Sequence, residues 1–118
     1  MWDDRYIREL DLRRGKIRAA GGKQRVEKQH EKGKLTARER IEYLFDKGSF
    51  SEVGSMVESR VSDLGMDEKR QAGDGVITGF GTVDGSLVYV ASEDFTVMGG
   101  TLGEYHAMKI CRVMDMAL

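Results

Sequence analysis

The stretch Gly75–Leu118 constrains the fold more than any other. GVITGFGTV and SLVYVAS are β-rich runs separated by Asp84-Gly85 alone. An Asp-Gly pair between two such runs specifies a two-residue type I′ hairpin, because both central residues must take positive φ. The second strand continues into EDFTVMGGTLGE, where Gly99 and Gly100 lead into a helix. Thr101 as N-cap and Glu104 three residues later form a capping box. From Leu102 to Leu118 apolar residues cover most of the helix, with Lys109, Arg112 and Asp115 leaving a narrow polar stripe. A hairpin joined to a buried helix by a glycine loop leaves room for a ligand at the join. A strand-to-helix turn that needs only small residues explains the same glycines.

On strand 75–83, Ile77, Gly79, Gly81 and Val83 share a face by alternation. The two glycines make a flat patch, open to close approach by a neighbouring backbone or by a ligand. Strand 86–92 is apolar on both faces and expects cover on both sides.

The preceding half reads as helices. Residues 3–19 carry Tyr6, Ile7, Leu10 and Ile17 near helical spacing, with Asp3 and Asp4 at the positive end of the dipole and Gly21-Gly22 as the stop. Residues 23–32 form a highly charged helix closed by Gly33, with His30 as a surface residue or a phosphate contact. Residues 34–48 form a third helix, with a Thr36/Glu39 capping box, Ile41, Leu44 and Phe45 on one face, and Gly48 as its stop. SFSEV and MVESRV read as short strands within 49–61, and 62–74 as a surface loop.

Charge divides the same way. Residues 1–47 hold 14 Lys and Arg against 9 Asp and Glu, whereas residues 48–118 hold 5 against 11. The basic half suits an anion: a phosphate, a nucleic acid or an acidic neighbouring subunit. Lys34 and Arg38 flank a helix start, where backbone N–H groups favour a phosphate. Nucleic acid is the weakest of these readings, since residues 13–40 lack interleaved aromatics. No apolar run approaches membrane-spanning length. A single cysteine, Cys111, expected in the core, suits a reducing compartment, so the chain reads as cytoplasmic.

Chemistry-bearing groups are scarce. Glu104 and His106 are two positions apart on a helix and diverge, and Glu93 and Asp94 alternate across a strand. MGGTLG is neither a dinucleotide fingerprint nor a phosphate-binding P-loop. No side-chain catalytic group and no metal site is expected.

Three spaced motifs carry a resemblance: KGKLTARERI (32–41), GDGVITGFGTVDG (73–85) and EDFTVMGGTLGEYHAMKICRVMDMAL (93–118). In that order they resemble the start of the carboxyltransferase subunit of biotin-dependent acyl-CoA carboxylases and of the related decarboxylase α subunits. The resemblance implies an α/β fold: an incomplete crotonase-like (ClpP/crotonase) array of ββα units, preceded by a helical arm. Residues 1–47 would be the basic arm, and 48–118 the start of the N-terminal acyl-CoA carboxyltransferase domain. It implies transfer of a carboxyl group between carboxybiotin and the α-carbon of an acyl-CoA such as propionyl-CoA. Backbone N–H pairs would hold the enolate, which suits a sequence without a catalytic side chain.

In that family the segments supplying those N–H pairs, and the half receiving biotin, follow the point where this sequence stops. The chain is therefore expected to be an N-terminal fragment, a short gene product or one piece of a split subunit. By family position Thr96, Val97, Met98, Gly99, Gly100, Thr101 and Leu102 would approach the coenzyme A moiety, and Lys34 or Arg38 its phosphates. The implied partners are biotin carboxyl carrier and biotin carboxylase subunits, with biotin on the carrier, and further copies of the chain in a homo-oligomer. The alternative is a non-catalytic assembly or binding module derived from the same family.

Overall fold

In the computed structural model of the chain, residues 3–55, 75–97 and 104–118 are described. Three helices, α1 (Asp4–Arg18), α2 (Lys23–Glu31) and α3 (Ala37–Leu44), precede strands β1 (Ser51–Val53), β2 (Val76–Val83) and β3 (Ser86–Glu93), and α4 (Glu104–Ala117) follows. The sheet order is β1-β2-β3, antiparallel throughout the described residues.

The hairpin forms as its turn chemistry demands. Asp84 and Gly85 have φ of 49° and 80°, and pairing runs from Val83↔Ser86 to Val76↔Glu93. A group 38 residues away braces the turn. The Asp46 carboxylate accepts from the backbone N–H of Asp84 and of Gly85, each at 3.0 Å, and from the Thr82 hydroxyl at 2.6 Å. The Thr82 hydroxyl, and then the Gly85 N–H, hold the Asp46 carboxyl below its ordinary range. The Asp46 N–H also donates to the Thr82 carbonyl at 2.8 Å.

That brace corrects one expectation. The third helix stops at Leu44 rather than at Gly48, and Phe45 is already extended, with ψ of 151°. Asp46 cannot both continue the helix and reach the hairpin. Gly48, with φ of 74°, sits instead in a turn closed by Ser49 N–H to the Asp46 carbonyl. The Thr36/Glu39 capping box forms as read.

The two faces of the hairpin carry different helices. Ala37, Ile41 and Phe45 of the α3 segment pack with Ile77, beside Phe50, Val83, Val88 and Val90. The glycine patch lies on this face, and the chain itself fills it. A Cβ on Gly81 would stand 2.7 Å from the Phe45 ring, and one on Gly79 would stand 2.2 Å from the Ser51 carbonyl oxygen. Phe45 and Phe50 pack with ring centroids 5.3 Å apart. Leu44, expected beside Ile41 and Phe45, is 51% exposed because it closes the last turn on the solvent side.

Helix α4 covers part of the other face with His106, Lys109 and Val113, which are buried at i, i+3 and i+7. This reverses two expectations. Lys109, placed in the polar stripe, turns inward and donates to the Val76 carbonyl oxygen at 2.5 Å. Cys111, placed in the core, is exposed, as are Met108 and Met114. The sheet selects a narrow buried stripe on α4, and the remaining apolar residues fall outside it. Strand β3 thus has a helix on each face, yet Leu87 is 63% exposed and β3 is an edge among the described residues.

Helix α1 starts at its Asp3 N-cap and buries no residue. Helix α2 ends with Gly33 N–H to the His30 carbonyl and Lys34 N–H to the Gln29 carbonyl, the paired bonds of a Schellman motif. His30, read from sequence as solvated or phosphate-bound, instead places Nε2 2.8 and 2.9 Å from the Glu39 carboxylate oxygens. That contact joins α2 to the α3 capping box. The expected strand in 56–61, the loop 62–74 and the Thr101/Glu104 capping box fall on positions outside the described residues or on the undescribed Glu104 side chain.

Candidate functional site at the arm–hairpin junction

Strand β3 ends at Glu93 and the chain turns through residues 94–97. The Asp94 N–H donates to the Gly75 carbonyl at 2.8 Å, tying the turn to the start of β2. The Asp94 carboxylate accepts from the Thr96 N–H at 2.9 Å and from the Thr96 hydroxyl at 2.5 Å, an Asx turn made by a buried acid. The Val97 N–H closes the turn on the Asp94 carbonyl.

The arm reaches this turn. The Gly21 N–H donates to the Thr96 hydroxyl oxygen at 3.0 Å, and the Arg25 guanidinium to the Thr96 carbonyl oxygen at 3.3 Å. A Cβ on Gly21 would lie 1.8 Å from that carbonyl oxygen, so only glycine permits this approach. Between arm and hairpin lies a cavity of about 180 Å³, bordered by Ile17, Arg18, Val26, Arg38, Asp94 and Val97 among others. A second cavity of about 230 Å³ lies on the α4 side, where Tyr105, Lys109 and Arg112 face Thr78 and Val53.

The expected ligand contacts are distributed unevenly. Thr96 is 3% exposed, with its hydroxyl engaged by Asp94 and Gly21, and Val97 is buried beside it. Arg38 borders the same cavity as Val97, but its guanidinium is already paired with Glu52 at 3.0 and 3.3 Å. Lys34 is exposed between α2 and α3. Met98, Gly99, Gly100, Thr101 and Leu102 lie outside the described residues.

Sequence reasoning missed one juxtaposition. His106 is fully buried, and its Nε2 stands 3.6 Å from a Glu93 carboxylate oxygen, too long for a hydrogen bond. The available signal was joint. Glu93 extends the face of β3 that α4 covers, and His106 shares a helical stripe with Val113. Among the described residues no group of three or more His, Cys, Asp or Glu is arranged to hold a metal ion. No described helix is long and apolar enough to cross a membrane. What the junction provides is a turn at 94–97 braced by Asp94 and by the Gly21 and Arg25 contacts.

An antiparallel hairpin with a helix on each face, preceded by two further helices, makes an α/β arrangement. The structure superposes on transcarboxylase 12S, solved as a hexamer assembly with methylmalonyl-coenzyme A and methylmalonic acid bound, with a TM-score of 0.92 and 45% identity over 99% of this chain and 23% of that one. Residues 28–118 match the carboxyl transferase domain, and the chain belongs to that family. It is 59% identical over 112 residues to the propionyl-CoA carboxylase beta chain of Cereibacter sphaeroides, covering 95% of this chain and 22% of that protein. It is 52% identical over 111 residues to the methylmalonyl-CoA decarboxylase subunit alpha of Propionigenium modestum, covering 94% of this chain and 22% of that protein. The chain thus spans about 22% of the length of these curated relatives.

Proposed function

We propose that the protein to which this chain belongs moves a carboxyl group between carboxybiotin and the α-carbon of an acyl-CoA such as propionyl-CoA. The observation that carries this reading is the match over nearly the whole chain to transcarboxylase 12S, a protein solved with methylmalonyl-coenzyme A bound. In this reading the braced turn 94–97 delivers Met98–Leu102 to the coenzyme A moiety. Glycines there let backbone N–H groups approach the ligand without a Cβ in the way. Lys34 meets a coenzyme A phosphate directly, whereas Arg38 does so by exchanging Glu52 for phosphate oxygens.

The chemistry asks for little from side chains. Loss of the α-proton leaves negative charge on the thioester oxygen, and preorganised N–H donors hold that charge. Biotin, carried on a partner carrier protein and charged by a biotin carboxylase, supplies the carboxyl group. The whole protein acts as a homo-oligomer in the cytoplasm.

The test is transfer of labelled carboxylate from carboxybiotin to propionyl-CoA by the whole protein, repeated with a panel of acyl-CoAs. Turnover with at least one thioester is expected. A folded protein inactive on every thioester contradicts the proposal. A second reading, a non-catalytic docking module, draws on the unburied α1 and the half-covered edge strand β3. Such a module forms stable complexes with the partner subunits without turnover.

A further inference from the structure

Among the described residues, Gly21 and Arg25 of the arm meet the hairpin at the 94–97 turn, and the atoms there are unusually committed. Thr96 uses its hydroxyl hydrogen on Asp94 and its hydroxyl oxygen on the Gly21 N–H, and its carbonyl oxygen accepts from Arg25. The partners are 71 and 75 residues away in sequence. Both Thr96 and Asp94 are buried, and the Gly21 backbone sits so close that no side chain fits between. Helix α1 buries nothing of its own, and these bonds tie the α1–α2 junction and Arg25 of α2 to the end of the hairpin, while the His30–Glu39 contact ties α2 to α3. A hydroxyl so engaged is poorly placed to meet a ligand. It is well placed to fix the backbone of the 94–97 turn itself.

We propose that Thr96 is a positioning residue rather than a ligand contact, and that Gly21 and Arg25 of the arm latch the 94–97 turn so that arm docking and acyl-CoA binding are coupled. This rests on the reading that Met98–Leu102 meets acyl-CoA. Coupling is reciprocal. If the latched turn favours acyl-CoA, bound acyl-CoA holds the arm down by the same factor.

The test uses the whole protein. Hydrogen exchange of peptides covering residues 19–26 is measured with and without saturating propionyl-CoA. KM and kcat are measured for Arg25→Gln, Thr96→Val and the conservative Thr96→Ser, with Gly100→Val as a separate probe of the loop. Propionyl-CoA is expected to slow exchange at 19–26 in the wild type. Arg25→Gln and Thr96→Val are expected to raise KM about tenfold, with kcat changing far less, within the usual range of allosteric coupling. Thr96→Ser, which keeps the hydroxyl, is expected to restore KM.

Two results overturn the latch alone while leaving the acyl-CoA reading in place. One is a folded Thr96→Val and Arg25→Gln pair with wild-type KM while Gly100→Val weakens binding. The other, decisive even if a variant fails to fold, is wild-type exchange at 19–26 that is indifferent to propionyl-CoA. Unchanged affinity in Gly100→Val as well removes the loop reading and the latch together.

Discussion

Replacing Ile41 by alanine separates the packing described above from the pattern that the sequence suggests. Ile41 is 2% exposed and packs in the cluster of Ala37, Phe45 and Ile77 that joins α3 to β2. The substitution deletes three buried carbons, about 2.4 kcal/mol at about 0.8 kcal/mol per carbon, before any cavity term. Ile41 also borders an open cavity shared with Phe45 and Phe50, which gives the site room to relax and holds the cavity term down. The expected cost is about 2–3 kcal/mol. Hydrogen exchange of the β2 amides reads it locally, as a roughly 30- to 150-fold acceleration in protein that remains folded. Leu44→Ala, three positions on but 51% exposed, is expected to change the same amides by no more than about twofold. Equal effects of the two substitutions would refute the placement of α3 on the glycine face.

Three further outcomes follow, two of them from single groups. The Asp46 carboxyl is held below its ordinary value near 3.8 by Thr82 and Gly85, so it contributes stability that is present above the unfolded pKa and lost as pH falls through the lower, folded one. Acid titration of wild type against Asp46→Asn, followed by circular dichroism, is expected to show a stability gap at neutral pH that closes in acid; a gap independent of pH contradicts the brace. Cys111 is exposed, so a thiol reagent is expected to label it in the native protein without denaturant; labelling only after unfolding returns it to the core. The 118-residue chain alone is expected to show no carboxyl transfer, because it spans about 22% of its relatives' length; turnover above the uncatalysed background refutes this.

What the sequence revealed and concealed divides by the range of the interaction. The Asp84-Gly85 turn and the Thr36/Glu39 box are local, each settled by residues within one turn of chain, and both form as read. The end of α3 was misread because the group that stops it, Asp46, answers to a turn 38 residues downstream. Lys109 turns inward because its acceptor is the Val76 carbonyl, which no helical periodicity contains. The glycine patch on β2 was legible as a close approach, but its occupants, Phe45 and the 50–51 backbone, emerge only from the fold. The family was legible through the order of three motifs. The contacts of Gly21 and Arg25 with Thr96 were not, since nothing local distinguishes that glycine from an ordinary helix stop.

The most direct test of the account is equilibrium binding of propionyl-CoA to the whole protein, wild type against Gly100→Val, with melting curves alongside. A β-branched side chain at Gly100 is expected to weaken binding by about tenfold or more, about 1.4 kcal/mol, while moving the melting temperature little. Equal affinity for propionyl-CoA in a folded Gly100→Val protein would contradict the claim that this glycine loop, carried on the braced hairpin, receives the acyl-CoA.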